Sequence, residues 1–149
     1  MELIKVILSE ENLDEALRRV KANKGASGID KMPVSKLDDY FIAHKEEIKT
    51  SIMEMKYKPQ PVRRVYIPKS NGKKRPLGIP TAVDRVIQQA VAQVLSQIYD
   101  SSFSENSYGF RPSRSAHDAM DKVLEYLNEG YEWVIDLDIE KYFDTVNHD

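Results

Sequence analysis

An α+β fold is predicted from three observations. Apolar residues recur at helical spacing in three stretches. Two extended runs, Val62 to Pro68 and Lys73 to Ile79, flank Ser70-Asn71-Gly72, and Asn-Gly between extended runs signals a β-hairpin. The final apolar run, Trp133 to Ile139, carries carboxylates at alternate positions, which is the period of a strand. The order is helices, hairpin, helix, helix, strand, which suits α+β rather than a wound parallel sheet.

Each element has its own signal. Ser9 opens the first predicted helix with Glu10 and Glu11 in its first turn, and Leu13, Leu17 and Val20 form its stripe. Asn23-Lys24-Gly25 ends it, and Gly25 to Asp30 is a loop of small residues. A second helical region runs from Pro33 to about Met55, with Leu37, Phe41, Ile48, Ile52 and Met55 on the buried side and a break expected near His44. Pro59 and Pro61 switch the chain to extended structure ahead of the hairpin. Thr81-Ala82-Val83-Asp84 has capping-box spacing and opens a helix to about Tyr99, with Val83, Ile87, Ala90, Val91, Val94, Leu95 and Ile98 as its apolar positions. Ser115-Ala116-His117-Asp118 repeats the pattern before a helix to about Asn128, and Gly130 turns the chain into the carboxylate strand.

Composition narrows the class. The 149 residues are 41% hydrophobic and 31% charged, as in a globular domain with a workable core. No apolar run is long enough to span a bilayer, so no membrane partner is expected. With no cysteine, disulfides and thiolate metal sites are excluded, which agrees with a reducing cytoplasm. Net charge is −2, but Lys56, Lys58, Arg63, Arg64, Lys69, Lys73, Lys74 and Arg75 fall in one segment that holds no acid. The rest of the chain has 14 basic residues against 24 acidic ones. A concentrated basic segment in an acidic chain points to a phosphate-facing surface.

Three constellations carry chemistry. In the predicted strand, Asp136 and Asp138 project to one side, while Ile135, Leu137 and Ile139 project into a core. Hard oxygen ligands on a rigid strand suit Mg²⁺, above all where a substrate phosphate completes the shell. The hairpin holds its cations around a turn tipped by Asn71-Gly72, and arginine forks and lysine point charges suit a polyphosphate. Tyr108-Gly109-Phe110-Arg111-Pro112-Ser113-Arg114 places aromatics and arginines before a helix start, a composition that stacks on bases and contacts a nucleic-acid backbone. His44, His117 and His148 are scattered and show no metal-ligand spacing, and Asp38-Asp39, within a predicted helix, reads as solvated or near a cap.

The blocks Asn23 to Asp30, Ile67 to Thr81, Asp84-Arg85, Tyr108 to Pro112 and Asp136 to Ile139 with Phe143-Asp144, in that order, resemble the bacterial group II intron-encoded reverse transcriptases, or maturases. The resemblance runs from about Asn23 to the end. It implies the fingers subdomain and the first palm strand of a right-hand polymerase. Residues 1–31 would be an N-terminal helix and template-facing loop, 32–130 the fingers with the hairpin at 62–79, and 131–149 the start of the palm.

The resemblance also implies roles. Asp138 would be the first catalytic aspartate and bind both Mg²⁺ ions, and Ile139 would lend a backbone carbonyl to one of them. Lys69 and Arg75 would hold the triphosphate of the incoming deoxynucleotide, with Phe143 under its sugar. Asn23, Lys24, Gly25, Ala26, Ser27 and Gly28 would cover the template, and Arg63, Ile79, Pro80 and Arg111 would lie along its path. Asp136 is read as a neighbour that tunes charge or makes a structural contact, and Asp144 as a structural acceptor. Lys31-Met32 departs from the pattern, since relatives often have a glycine there.

The implied activity is RNA-directed DNA synthesis, with assistance to intron splicing and mobility. The partners are RNA template, intron RNA, primer DNA and dNTP in a bacterial cytoplasm. The Tyr-Ala-Asp-Asp strand of such enzymes has no counterpart here, and two-metal transfer needs several carboxylates. The chain is therefore expected to be a piece of a larger enzyme, to be inactive alone, and to self-associate through apolar surface left by the truncated palm. The alternative is a non-catalytic RNA-binding module of maturase type.

Overall fold

The computed structural model describes every residue except Met1, Lys69, Asn71, Lys141, His148 and Asp149, and the side chains of Phe143 and Asp144 are likewise outside the description. The chain divides into two compact units, Met1–Ser102 and Phe103–Asp149.

The first unit begins with α1 (Leu3–Ile7) and α2 (Glu10–Ala22). Ser9 is the N-cap residue of α2 and Asn23 its C-cap, as the sequence pattern predicts. A single 3₁₀ turn at Val34–Lys36 leads into α3 (Leu37–Met53). The hairpin follows as β1 (Arg63–Pro68) and β2 (Lys74–Ile79), then α4 (Ala82–Tyr99). Leu13, Ala16 and Val20 of α2, Leu37 and Phe41 of α3, and Ala82, Val86 and Ala90 of α4 form one core with Leu8. Ala16, Ala82 and Ala90 are fully inaccessible, and such small side chains let helix backbones approach closely. Where α2 meets α4, Asn12 donates to the carbonyls of Ile7 at 2.8 Å and Ala90 at 3.0 Å, and Gln93 donates to Asn12 Oδ1 at 2.7 Å. α2 and α3 are tied on their outer faces by Lys45 to Glu10 and Asp14, by Lys49 to Glu10, and by Lys21 to Asp38.

The break expected near His44 is absent, and α3 is continuous. His44 stacks on Tyr40 at 4.2 Å between ring centroids, and its Nδ1 lies 2.8 Å from the Tyr40 carbonyl oxygen. Met55 is not in the core. It lies beyond the helix with a positive φ of 58° and is exposed.

The second unit holds α5 (Ala116–Asn128) and the short α6 (Tyr142–Thr145). The capping box at Ser115 and Asp118 forms as expected, with each side chain accepting from the other's backbone N–H. Gly130 turns the chain with φ of 94°. The predicted carboxylate strand does not form. Residues 131–139 are irregular, and Trp133, Val134, Ile135, Leu137 and Ile139 are all exposed. A strand is stabilised by ladder hydrogen bonds and by packing of its apolar face. The hairpin is the one sheet among the described residues, so neither support is present. None of the described helices is long and apolar enough to cross a membrane.

Candidate nucleic-acid and nucleotide interface

The hairpin sets which cations act together. Its antiparallel register pairs Arg63 with Ile79, Val65 with Leu77, and Ile67 with Arg75. Directly paired residues share a face and alternate residues return to it. Arg63, Arg75 and Ile79 therefore lie on one face of the ribbon with Val65, Ile67 and Leu77, while Arg64 and Lys74 lie on the other. Three residues assigned separately to template and nucleotide come together on one surface. Pairing ends at Pro68 and Lys74, so the connection is longer than a two-residue Asn-Gly turn. Gly72 has the positive φ of 78° expected of a turn glycine, while Lys69 and Asn71 are outside the described residues.

The loop after α2 is seated on the junction of β2 and α4. Gly28 is buried there. A Cβ on it would lie 2.6 Å from Thr81 Cα and 2.9 Å from the Pro80 carbonyl carbon, which are backbone atoms that cannot give way. Arg85 Nη2 donates to the Ala26 carbonyl at 3.0 Å. Gly25 lies against the same guanidinium, and a Cβ there would overlap Nη1. Lys24 supports the bend with φ of 46°. Of the residues assigned to the template, Gly25, Ala26, Gly28 and Pro80 are thus brought together. Lys24, Gly25, Ala26 and Ser27 also line an open cleft of about 500 Å³ with Lys21 and Val34.

That junction is fixed by a buried carboxylate. Asp84, 3% exposed, accepts from the Tyr57 hydroxyl at 2.6 Å, the Gln60 N–H at 3.2 Å and the Thr81 hydroxyl at 2.6 Å. Its own backbone N–H donates to Thr81 Oγ1 at 3.2 Å, the N-cap bond of α4. Burial and the Asp84 carboxylate push the Tyr57 hydroxyl well above the ordinary tyrosine range. The carboxylate thereby ties the segment entering β1 to the segment leaving β2. Sequence reasoning saw Asp84 as half of a capping box and missed this role. The clue was Asp84 among apolar positions of a helical stripe, with a tyrosine and prolines just ahead of the hairpin.

In the second unit Arg111 and Arg114 are committed to the chain itself. Arg111 donates to the carbonyls of Ser104 at 2.8 Å and Ser107 at 3.2 Å, and its guanidinium sits 5.5 Å from the Phe103 ring centroid. Arg114 donates to the Glu105 carbonyl at 2.5 Å and lies over the Tyr108 ring. These bonds fold the 103–108 loop. Phe110 is wholly exposed with φ of 57°. Asp136 and Asp138 lie on the exposed segment described above. Among the described residues no three ligating side chains are grouped to hold a metal. The Asp138 carboxylate and the Ile139 carbonyl are hard oxygen donors of the kind Mg²⁺ takes. They are too few to clamp two ions about 3.5–4 Å apart. Phe143 and Asp144 are side chains outside the description.

A family model described as "Reverse transcriptase (RNA-dependent DNA polymerase)" matches residues 67–149. The chain belongs to the reverse transcriptase family. The chain is 41% identical over 152 residues to Protein YkfC of Escherichia coli (strain K12), covering 98% of the chain and 40% of that protein. It is 42% identical over 164 residues to Group II intron-encoded protein LtrA of Lactococcus lactis subsp. cremoris, covering 94% of the chain and 26% of that protein. It is 33% identical over 133 residues to the Putative COX1/OXI3 intron 2 protein of Saccharomyces cerevisiae, covering 89% and 15%. The chain thus spans less than half the length of these curated relatives. The matched family segment begins inside β1 and includes the hairpin turn, the Asp84 hub and Asp138.

Proposed function

We propose that the protein carrying these residues copies RNA into DNA and serves a group II intron in its splicing and mobility. The family match across 67–149 carries this reading. The shared face of Arg63, Arg75 and Ile79 supports it, because the residues proposed for template and for triphosphate lie on one ribbon face. In this proposal Lys69 and Arg75 hold the triphosphate, and Phe143 packs under the sugar. Residues 23–28 cover the template, which runs past Arg63, Ile79 and Pro80. Arg111 acts on the template path through the 103–108 loop that it folds, since its described bonds are to that loop.

Asp138 and Ile139 are the proposed Mg²⁺ donors. Bound Mg²⁺ in such a site neutralises phosphate charge and lowers the barrier to attack by a primer 3′-hydroxyl. The remaining carboxylates would come from outside residues 1–149, so this chain on its own is proposed to extend no primer. Primer DNA, dNTP and a bacterial cytoplasm complete the proposal.

The test is primer extension on an RNA template with dNTP and Mg²⁺, using the protein that carries these residues. A cDNA ladder is expected, and its absence overturns the polymerase reading. Synthesis by residues 1–149 alone would overturn the placement of the missing carboxylates. A second reading, a non-catalytic RNA-binding module, is favoured by the exposed and irregular state of residues 131–139. It predicts RNA affinity that falls steeply with salt and no synthesis under any condition.

A further inference from the structure

We infer that Arg85 is a positioning residue, a latch on α4 that sets the conformation of the loop at residues 23–28. The inference rests on the proposed template role of that loop. The loop has no regular structure to hold it. Among the described residues, the bond from Arg85 Nη2 to the Ala26 carbonyl is the one hydrogen bond joining residues 24–28 to α4, and it links positions 59 apart in sequence.

Two further observations support the latch. Gly25 gives the guanidinium its place, because any side chain there would displace it. The Nε–H of Arg85 is buried without a partner among the described residues. An arginine merely facing solvent would turn that N–H to water. Its tolerated loss is consistent with a guanidinium held by the loop geometry. Gly28 supplies the second anchor, a steric fit on the Pro80–Thr81 backbone. Arg85 fixes one end of the loop and Gly28 the other, with Ser27 held between them. A loop ordered before binding loses less entropy on contact with RNA, so the latch should appear in affinity.

The experiment is hydrogen exchange on the chain without RNA, for Arg85→Ala, Arg85→Lys and Gly25→Ala. Amides 24–28 should exchange faster in Arg85→Ala and Gly25→Ala, with α2 and α4 unchanged, and Arg85→Lys should restore part of the protection through one carbonyl bond. In parallel, affinity for a single-stranded RNA oligonucleotide should fall in both Arg85→Ala and Gly25→Ala. Gly25→Ala keeps the charge of Arg85, so a loss there separates the latch from a direct phosphate contact. Should Arg85→Ala fail to fold, Gly25→Ala carries the test. Unchanged exchange at 24–28 overturns the latch whatever RNA binding does. Faster exchange with unchanged RNA affinity supports the latch and overturns the template reading of the loop instead.

Discussion

Asp84→Ala should be among the most damaging single substitutions in the first unit. The carboxylate accepts hydrogen bonds from the Tyr57 hydroxyl, the Gln60 backbone N–H and the Thr81 hydroxyl. Gln60 is exposed, so water can replace its lost acceptor. Thr81 is buried and Tyr57 is half-buried, and their hydroxyls would be stranded at about 1–3 kcal/mol each. Removing a buried charge recovers some desolvation cost, while the N-cap bond to Thr81 Oγ1 survives because it uses the backbone N–H of residue 84. The net expectation is a loss of about 3 kcal/mol. Tyr57→Phe removes one donor and should cost about 1–2 kcal/mol. The two should be coupled by about 1 kcal/mol or more in a double-mutant cycle. Urea denaturation with an unchanged m-value reads all of these. A loss under about 0.5 kcal/mol for Asp84→Ala is surface behaviour and would refute the hub.

Three other outcomes follow from the same geometry. The folded protein holds the Tyr57 proton against Asp84, whereas the unfolded chain releases it near pH ~10. That contribution to stability is present below about pH 10 and is lost as pH rises above it, so Tyr57→Phe should flatten part of the alkaline limb of a stability–pH curve. An identical limb in both proteins contradicts the Tyr57–Asp84 bond. Gly28→Ala forces a Cβ onto the Pro80–Thr81 backbone and should cost about 1–3 kcal/mol by thermal or urea unfolding, and a neutral result would mean the loop is not seated there. Hydrogen bonds from the Ser115 hydroxyl and then from its backbone N–H hold Asp118 below the usual carboxylate range. Its stabilising effect is therefore present above that range and lost as pH falls through the lowered value. Ser115→Ala should move the Asp118 carboxyl titration, followed by NMR, back upward, and an unmoved midpoint would sink the capping assignment.

The parts of the fold that were legible in the sequence are those with local causes. Ser9, Thr81 and Ser115 marked helix starts because a side-chain or chain-reversal signal lies within three residues of each. Asn71-Gly72 between two extended runs marked the hairpin. α1 went unread because five residues give no period. Val86 joined the core although the stripe was drawn through Val83 and Ile87. The observed buried row is Ala82, Val86 and Ala90, whose small side chains let α4 pack against α2. His44 suggested a break by composition, and stacking on Tyr40 removed it. The carboxylate pattern at 133–139 was legible as alternation, yet alternation becomes a strand only with a neighbour to pair with. The Arg85 contact and the Asp84 hub depend on residues 24 to 59 positions away, which no local pattern reports.

The most direct test of the central claim is Asp138→Ala in the protein that carries these residues, assayed by primer extension on RNA with RNA affinity measured in parallel. The account predicts that DNA synthesis is lost while RNA affinity is unchanged, because Asp138 is proposed to serve metal and nucleotide and other residues are proposed to hold the template. Retained synthesis would contradict the assignment of Asp138. Loss of synthesis together with loss of RNA affinity would mean that the aspartate supports the fold or the RNA site rather than the chemistry.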